Sequence, residues 1–201
     1  MILAIDTSSA ACTAALFDGG NCVARADEVI GRGHAERLAP MLAELLDGRR
    51  ADEILVGVGP GSFTGIRVGI AAAHGLAIGW DVPLHGMSSL ALLAASAETS
   101  GPVAAAVNGG HGELFVQQFD EAFNEAGPLT NLPPDQAASA VDSEVVAGPG
   151  AAALVEARGT GRALDVWPSA ANALRLPKAL RNLPPAPLYA RAPDAKARNA
   201  A

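Results

Sequence analysis

Apolar positions along this chain follow two different periods. Residues 2–5 (Ile-Leu-Ala-Ile) form a short apolar run that stops at Asp6-Thr7-Ser8, which predicts a buried strand ending in a turn. Residues 12–17 and 23–29 predict two more strands. Between them lies Asp18-Gly19-Gly20-Asn21, whose Gly and Asn residues tolerate the positive φ of a tight hairpin. After the glycine-broken stretch Gly31-Arg32-Gly33 the period changes. Leu38, Met41, Leu42, Leu45 and Leu46 recur at i, i+3, i+4, i+7 and i+8, which is one apolar face of a helix over 34–47. Glu36 suits the positive first turn of that helix, and Gly48 supplies its stop. Residues 54–58 predict a short buried strand, 59–65 a glycine-rich loop, and 66–78 a second helix whose Ala and Gly residues permit very close packing.

Ser88 or Ser89 could cap a third helix over 90–98. Ser100-Gly101-Pro102 breaks the pattern, so the chain is expected to divide into an N-terminal lobe, 1–100, and a C-terminal lobe, 101–201. A second hairpin pairs 103–107 with 113–119 around Asn108-Gly109-Gly110-His111-Gly112. Weaker patterns predict a helix at 135–140, a strand at 144–146, a helix at 151–158, a strand at 164–167 and a helix at 169–174, with 183–187 and 190–201 extended. The halves share an outline of hairpin followed by strands and helices. No residue-level repeat accompanies it, so a duplicated architecture rests on the outline alone.

Composition narrows the picture. With 201 residues the chain can bury a real core as one large domain or two small lobes. Half the residues are hydrophobic but only 4% are aromatic. The core must therefore be built from Ala, Val, Leu and Ile, which suits closely packed α/β layers. The net charge of −7 is uneven: residues 172–201 hold six basic residues (Arg175, Lys178, Arg181, Arg191, Lys196, Arg198) against Asp194 alone. The acidic body excludes long-range attraction to nucleic acid, while the basic end could touch RNA or an acidic partner, or simply be a solvated tail. Cys12 and Cys22 do not face each other in a hairpin centred on Gly19-Gly20, so free thiols of a reducing compartment are expected. No basic n-region precedes the first apolar run, and the run at 68–80 is short and broken by His74 and glycines. Neither a signal peptide nor a membrane span is expected, which points to the cytoplasm.

The loop Gly59-Pro60-Gly61-Ser62-Phe63-Thr64-Gly65 is the most distinctive segment. A P-loop would need Lys after Gly65, where Ile66 stands, and no lysine precedes Lys178. A dinucleotide fingerprint would need Gly at Thr64 and an acid about 20 residues on. Two readings stay open: backbone N–H groups at a helix start holding an anion, or glycines that let strand and helix approach, with Ser62 or Thr64 as the cap. Arg67 could also face a partner. His34 has Leu38 rather than His at i+4, and His74, His85 and His111 are scattered, so the paired imidazoles of a helical zinc site are missing. Ser62 misses the Gly-x-Ser-x-Gly elbow. Asp6, Thr7 and Ser8 could meet a phosphate or metal, or bond their own backbone. Nothing in the sequence names a partner for Glu113.

Several of these segments together resemble the bacterial TsaB (YeaZ) family: Ile2-Leu3-Ala4-Ile5-Asp6-Thr7-Ser8, Gly33-His34-Ala35-Glu36-Arg37-Leu38, the loop from Gly59 through Ile66-Arg67-Val68-Gly69, Gly86-Met87-Ser88-Ser89-Leu90, and Pro187-Leu188-Tyr189-Ala190-Arg191. The resemblance covers the first 120 residues well and the rest loosely. It implies an α/β chain of two ribonuclease-H-like lobes in the actin/Hsp70-like (ASKHA) fold. It implies a role in making N6-threonylcarbamoyladenosine at position 37 of tRNAs that read codons beginning with A. In that family the chain is not the transferase; it docks on the catalytic subunit TsaD, which holds the metal, and the ATPase TsaE and tRNA join the assembly. The resemblance further implies no metal or cofactor of its own, a homodimer when alone, and leaves open a nucleotide at the partner contact.

The docking surface it implies is built from the first two helices, here His34, Leu38, Met41 and Leu45 with Ile66, Ile70, Ala73, His74 and Ala77. Gly59, Pro60, Gly61, Ser62, Thr64, Gly65 and Arg67 would supply an anion or partner contact beside it. The competing reading is that these apolar faces cover their own sheet. On the docking reading, Met41→Glu or Ala73→Glu weakens association and leaves the monomer folded. One departure stands out: the second hairpin usually reads Asp-Ala-Arg-Arg-Gly-Glu-Val-Tyr in the family, whereas Asn108-Gly109-Gly110-His111-Gly112-Glu113-Leu114-Phe115 lacks the acid and both arginines. Three rival classes are an ATPase or sugar kinase of the same fold, which would need an acid-rich phosphate motif where Asn108-Gly109-Gly110 stands, a metallopeptidase, which would need the missing histidine pair, and an RNA-binding module using 192–201.

Overall fold

A computed structural model describes residues 1–190. The expectations for the end of the basic tail, including Arg191, Lys196 and Arg198, lie outside the described residues.

The first three strands are β1 (Ile2–Asp6), β2 (Ala11–Asp18) and β3 (Asn21–Val29), joined antiparallel. Gly19 and Gly20 both take positive φ, 53° and 86°, as the tightest hairpin turn requires. Cys12 faces Glu28 and Cys22 faces Phe17, so the two thiols stay free. β4 (Glu53–Gly57) and β5 (Leu84–Met87) add in parallel beyond β1, giving the order β3-β2-β1-β4-β5. The second sheet contains β6 (Val103–Gly110), β7 (Glu113–Phe119), β8 (Thr130–Leu132), β9 (Val145–Ala147) and β10 (Arg162–Leu164). Its order, β8-β7-β6-β9-β10, repeats the first sheet strand for strand, and each pairing has the same direction. The duplicated outline is thus real at the level of topology, and both sheets carry the ribonuclease-H-like wiring of the actin/Hsp70-like fold.

Strand alternation decides what each face covers. Leu3 and Ile5 of β1 point with Leu16, Ile54 and Val56 toward α1 (His34–Leu46) and α2 (Phe63–Trp80). Ala4, Ala15 and Leu55 point the other way, onto α3 (Ser89–Ala95) and the inner face of the second sheet at Val103, Ala105 and Phe119. Ala104, Ala106, Leu114, Val116 and Val146 form a third core with residues of α4 (Pro134–Ser139) and α5 (Ala151–Arg158). Sheets covered on both faces explain why β1 and β4 read as unbroken apolar runs.

Several boundaries differ from the sequence expectation. α2 begins at Phe63 rather than 66, because the Ser62 side chain accepts from the Gly65 N–H (3.2 Å) and starts the helix there. β5 and β8 escape sequence reading because strands of four and three residues carry too little alternation. The strand expected at 164–167 forms at Arg162–Leu164, and the helix at 169–174 is a 3-10 turn, Ala170–Arg175. The helix expected to 98 stops at Ala95, where the Ser96 hydroxyl bonds back to Leu92 O (2.8 Å).

The division expected at residue 100 falls in the link between α3 and β6. Beyond β10, however, the chain crosses back to the first sheet. Ala170 N donates to buried Thr13 Oγ1 (2.7 Å), Leu183 bridges Gly86, and Leu188 N donates to Val58 O (2.8 Å). Part of the stretch assigned to the second lobe therefore packs on the first.

Candidate functional site

The end of β1 and the glycine loop interlock. Asp6 is fully buried. Its Oδ1 accepts from Ser8 N (2.8 Å) and Ser8 Oγ (2.7 Å), and its Oδ2 from Ser89 Oγ (2.6 Å). Burial pushes the Asp6 pKa above the ordinary aspartate value, against those hydrogen bonds, which pull it down. Ser89 Oγ also accepts from Gly59 N (3.0 Å), so one hydroxyl ties the loop to the carboxylate. Ser88, not Ser89, caps α3. Of the two readings for Asp6-Thr7-Ser8, the described bonds are those of the self-bonding one: Thr7 Oγ1 reaches Gly65 O (2.7 Å) and Ser62 N reaches Ser8 O (2.6 Å).

The glycines are required by this proximity. A Cβ on Gly57 would overlap the Asp6 carboxylate, one on Gly61 the Ser8 carbonyl, and one on Gly65 the Thr7 carbonyl. Gly59 has φ 99°, and its Cβ would lie 2.7 Å from Ile66 Cδ1. The N–H groups of Gly59, Ser62 and Gly65 are all taken by the protein's own oxygens. Close approach therefore accounts for these glycines. Pro60 is buried, and Ser62 and Thr64 lie on the surface.

Beside this loop lies an open cleft of about 190 Å³ lined by Ser8, Ser9, Ser62, Val107, Asn108 and Trp167, among others. None of its lining residues is charged. Asn108 begins the altered second hairpin, and Glu113 at the far side of that hairpin accepts from Asn131 Nδ2 (2.6 Å), a partner the sequence did not name. Among the described residues no group of three or more His, Cys, Asp or Glu side chains gathers where it could hold a metal ion. No helix among them is long and apolar enough to cross a membrane.

The helix residues expected to form the docking surface divide into two sets. Leu38, Met41, Leu45, Ile66, Ile70, Ala73 and Ala77 are buried against the first sheet, with Met41 1% and Ala73 0% exposed. His34 is buried as well, its Nε2 3.2 Å from Ala11 O. This corrects the expectation: an apolar stripe that covers its own sheet is unavailable to a partner. Of the residues named for this surface, only His74 points outward.

The outward face of α2 is a different stripe, Phe63, Arg67, Ala71, His74, Gly75 and Ile78. Phe63 is 51% and Ile78 80% exposed. At 100° per residue these positions share one side of the helix, and the pattern was readable once the helix start was placed at Phe63. At its N-terminal end, Arg67 lies across the returning chain: its Cζ stands 3.6 Å from the Phe63 ring centroid, and Nε donates to Tyr189 Oη (2.9 Å). Phe63, Tyr189, Ile78 and Ser89 were all missing from the residues expected to form the loop contact or the docking surface.

Two like-wired ribonuclease-H-type halves, with a glycine loop locked onto the end of β1, match proteins related to the threonylcarbamoyl transferases. Residues 27–162 match the family model described as TsaD, tRNA N6-adenosine threonylcarbamoyltransferase. The chain is 37% identical over 131 residues to the Escherichia coli tRNA threonylcarbamoyladenosine biosynthesis protein TsaB, a match covering 61% of this chain and 56% of that protein. It is 34% identical over 212 residues to an uncharacterized protein of Mycobacterium tuberculosis, covering 97% and 93% of the two chains. The solved structure of YeaZ from Pseudomonas aeruginosa superimposes with a TM-score of 0.79 at 32% identity, over 94% of this chain and 98% of that one. The chain belongs to the TsaB (YeaZ) family. Its matched stretch spans about half the length of the Escherichia coli and Haemophilus influenzae TsaB proteins.

Proposed function

We propose that the chain acts in tRNA N6-threonylcarbamoyladenosine synthesis as a non-catalytic, activating subunit that docks on a TsaD-type transferase. The observation that carries this reading is the outward stripe of α2. It is an apolar, small-residue surface with Ile78 80% exposed, on a helix that contains no acidic residue. Exposed apolar surface of this kind marks an interaction site, and Ala and Gly let a second helix approach closely. The same stripe would pair two copies when the partner is absent. A TsaE-type ATPase and tRNA would join through the assembled complex, and a nucleotide would sit at the partner contact rather than in a site of this chain's own.

The non-catalytic reading draws on the side chains present. The loop lacks the lysine of a P-loop, and Asp6 is buried under Ser8 and Ser89. Reconstitution tests it: a TsaD-type subunit, a TsaE-type ATPase, ATP, threonine, bicarbonate and a tRNA transcript, with and without this chain. Modification should require the chain. Sustained turnover of tRNA or nucleotide by this chain alone would refute the reading.

A further inference from the structure

We propose that Arg67 is the polar anchor of the α2 docking stripe and pairs with a carboxylate side chain of the partner protein, which sets the partner's register. The inference rests on the docking reading above and adds to it the chemistry of recognition.

Arg67 is held from both sides. Its guanidinium lies over the Phe63 ring at 3.6 Å and 5.7 Å from the Tyr189 ring centroid, with the two rings 5.4 Å apart. Nε is committed to Tyr189 Oη. Tyr189 is itself fixed, because Leu188 N bonds Val58 O (2.8 Å) and His74 Nε2 lies 3.4 Å from Pro185 O. The returning chain is thus stitched to α2 a few turns apart, and the arginine is clamped between them. Its rotamer freedom is already lost before any partner arrives, so binding need not remove it.

What remains of the side chain is a fork. Among the described residues no carboxylate lies within ion-pair distance of Arg67, whereas Arg37 on α1 pairs with both Glu28 and Glu44. The Nη groups of Arg67 therefore present a planar donor pair that matches a carboxylate. Its surroundings decide between occupants. Phe63, Ala71, Gly75 and Ile78 continue the same stripe, and Ile78 stands about 16 Å along the helix from Arg67. An apolar surface with one oriented cation at one end fits a protein with an apolar helix and one acid. Once the stripe is covered, an unpaired guanidinium would be costly, so a partner without the acid, or shifted by a turn, is rejected.

The test uses the full chain and the TsaD-type subunit of the same organism, with association measured by titration calorimetry at low and high salt. Arg67→Gln and Arg67→Lys should each weaken association about tenfold or more, the lysine because it loses the fork and the stacking. The glutamine variant should also lose salt dependence that the unmodified chain shows. Tyr189→Phe keeps the charge but removes the hydroxyl that aims it, so it should weaken association while leaving the salt dependence in place. Ile78→Glu, at the opposite end of the stripe from Arg67, separates the two claims. If it abolishes association while Arg67→Gln leaves affinity and salt dependence unchanged, the anchor is overturned and docking stands. If Ile78→Glu also has no effect, the docking face falls and the anchor with it. If Arg67→Gln spares the protein partner and weakens only tRNA binding, the fork serves a phosphate and the proposal is overturned.

Discussion

Placing one methyl group at two positions of α2 should have opposite effects on stability. Gly65 and Gly75 lie on the same helix, and alanine is the better helix former by about 1 kcal/mol at either. At Gly75 nothing lies within 4 Å of the added Cβ, so Gly75→Ala should express that gain. At Gly65 the Cβ would overlap the Thr7 carbonyl oxygen and lie 3.2 Å from its carbon and 3.3 Å from Ser62 Cβ. All of these belong to backbone or to the cap, so the helix must move away from β1. Overpacking of this kind costs about 1–3 kcal/mol. The shift also strains the buried bond from Thr7 Oγ1 to Gly65 O (2.7 Å), another ~1 kcal/mol. Setting the propensity gain against these terms leaves Gly65→Ala less stable by about 1–3 kcal/mol. For a domain of this size each kcal/mol moves Tm by about 2–4 °C. Thermal and urea unfolding of both variants at two dilute protein concentrations, to exclude association, should therefore show shifts of opposite sign. If both variants are stabilised, the glycine loop is not held by contact with β1 and the reasoning fails.

Met41→Glu and Ala73→Glu should destabilise the chain itself by about 3 kcal/mol or more, since each places a carboxylate in a fully packed core; folded, monomeric variants in sedimentation and calorimetry would contradict this. Burial raises the Asp6 pKa in the folded state, so Asp6 contributes stability that is complete below the ordinary aspartate pKa and is lost as pH rises through the folded value. Compared with Asp6→Asn, the native chain should lose stability across that window and then level off; a difference in urea midpoints independent of pH would be the contrary result. Burial pushes the Cys12 thiol up to about 11, while Cys22 is exposed. A thiol reagent under mildly alkaline conditions should therefore modify Cys22 alone until the chain is unfolded, which peptide mass mapping can check.

Legibility in the sequence followed the length of each element and the number of faces it buries. α1 was readable in full because its apolar residues at i, i+3, i+4, i+7 and i+8 cover one sheet on one side, with water on the other. α2 was harder. Small residues face both the sheet and the solvent, so hydrophobicity hardly varies around it, and its start was displaced by reading Phe63 and Thr64 as loop. The docking set drew on the apolar faces of both helices, and all of its members except His74 are buried in the chain's own core. The glycine loop was singled out correctly as special, but the reason lies in contacts with Thr7 and Ser8, more than 50 residues earlier, which no local pattern contains. Ser89 illustrates the same limit. Beside Ser88 it reads as a helix cap, yet its hydroxyl bridges Asp6 and Gly59.

The returning segment has a consequence for biogenesis. Leu188 closes onto Val58 and Tyr189 onto Arg67, 122 positions apart in the second case. While the polypeptide emerges from the ribosome, the first sheet can pair its five strands early, but the cover over its β5 edge arrives only with residues 183–188. Contacts of such long sequence separation form late. The contact that orients Arg67 thus forms only after Tyr189 has been made, long after the helix it completes.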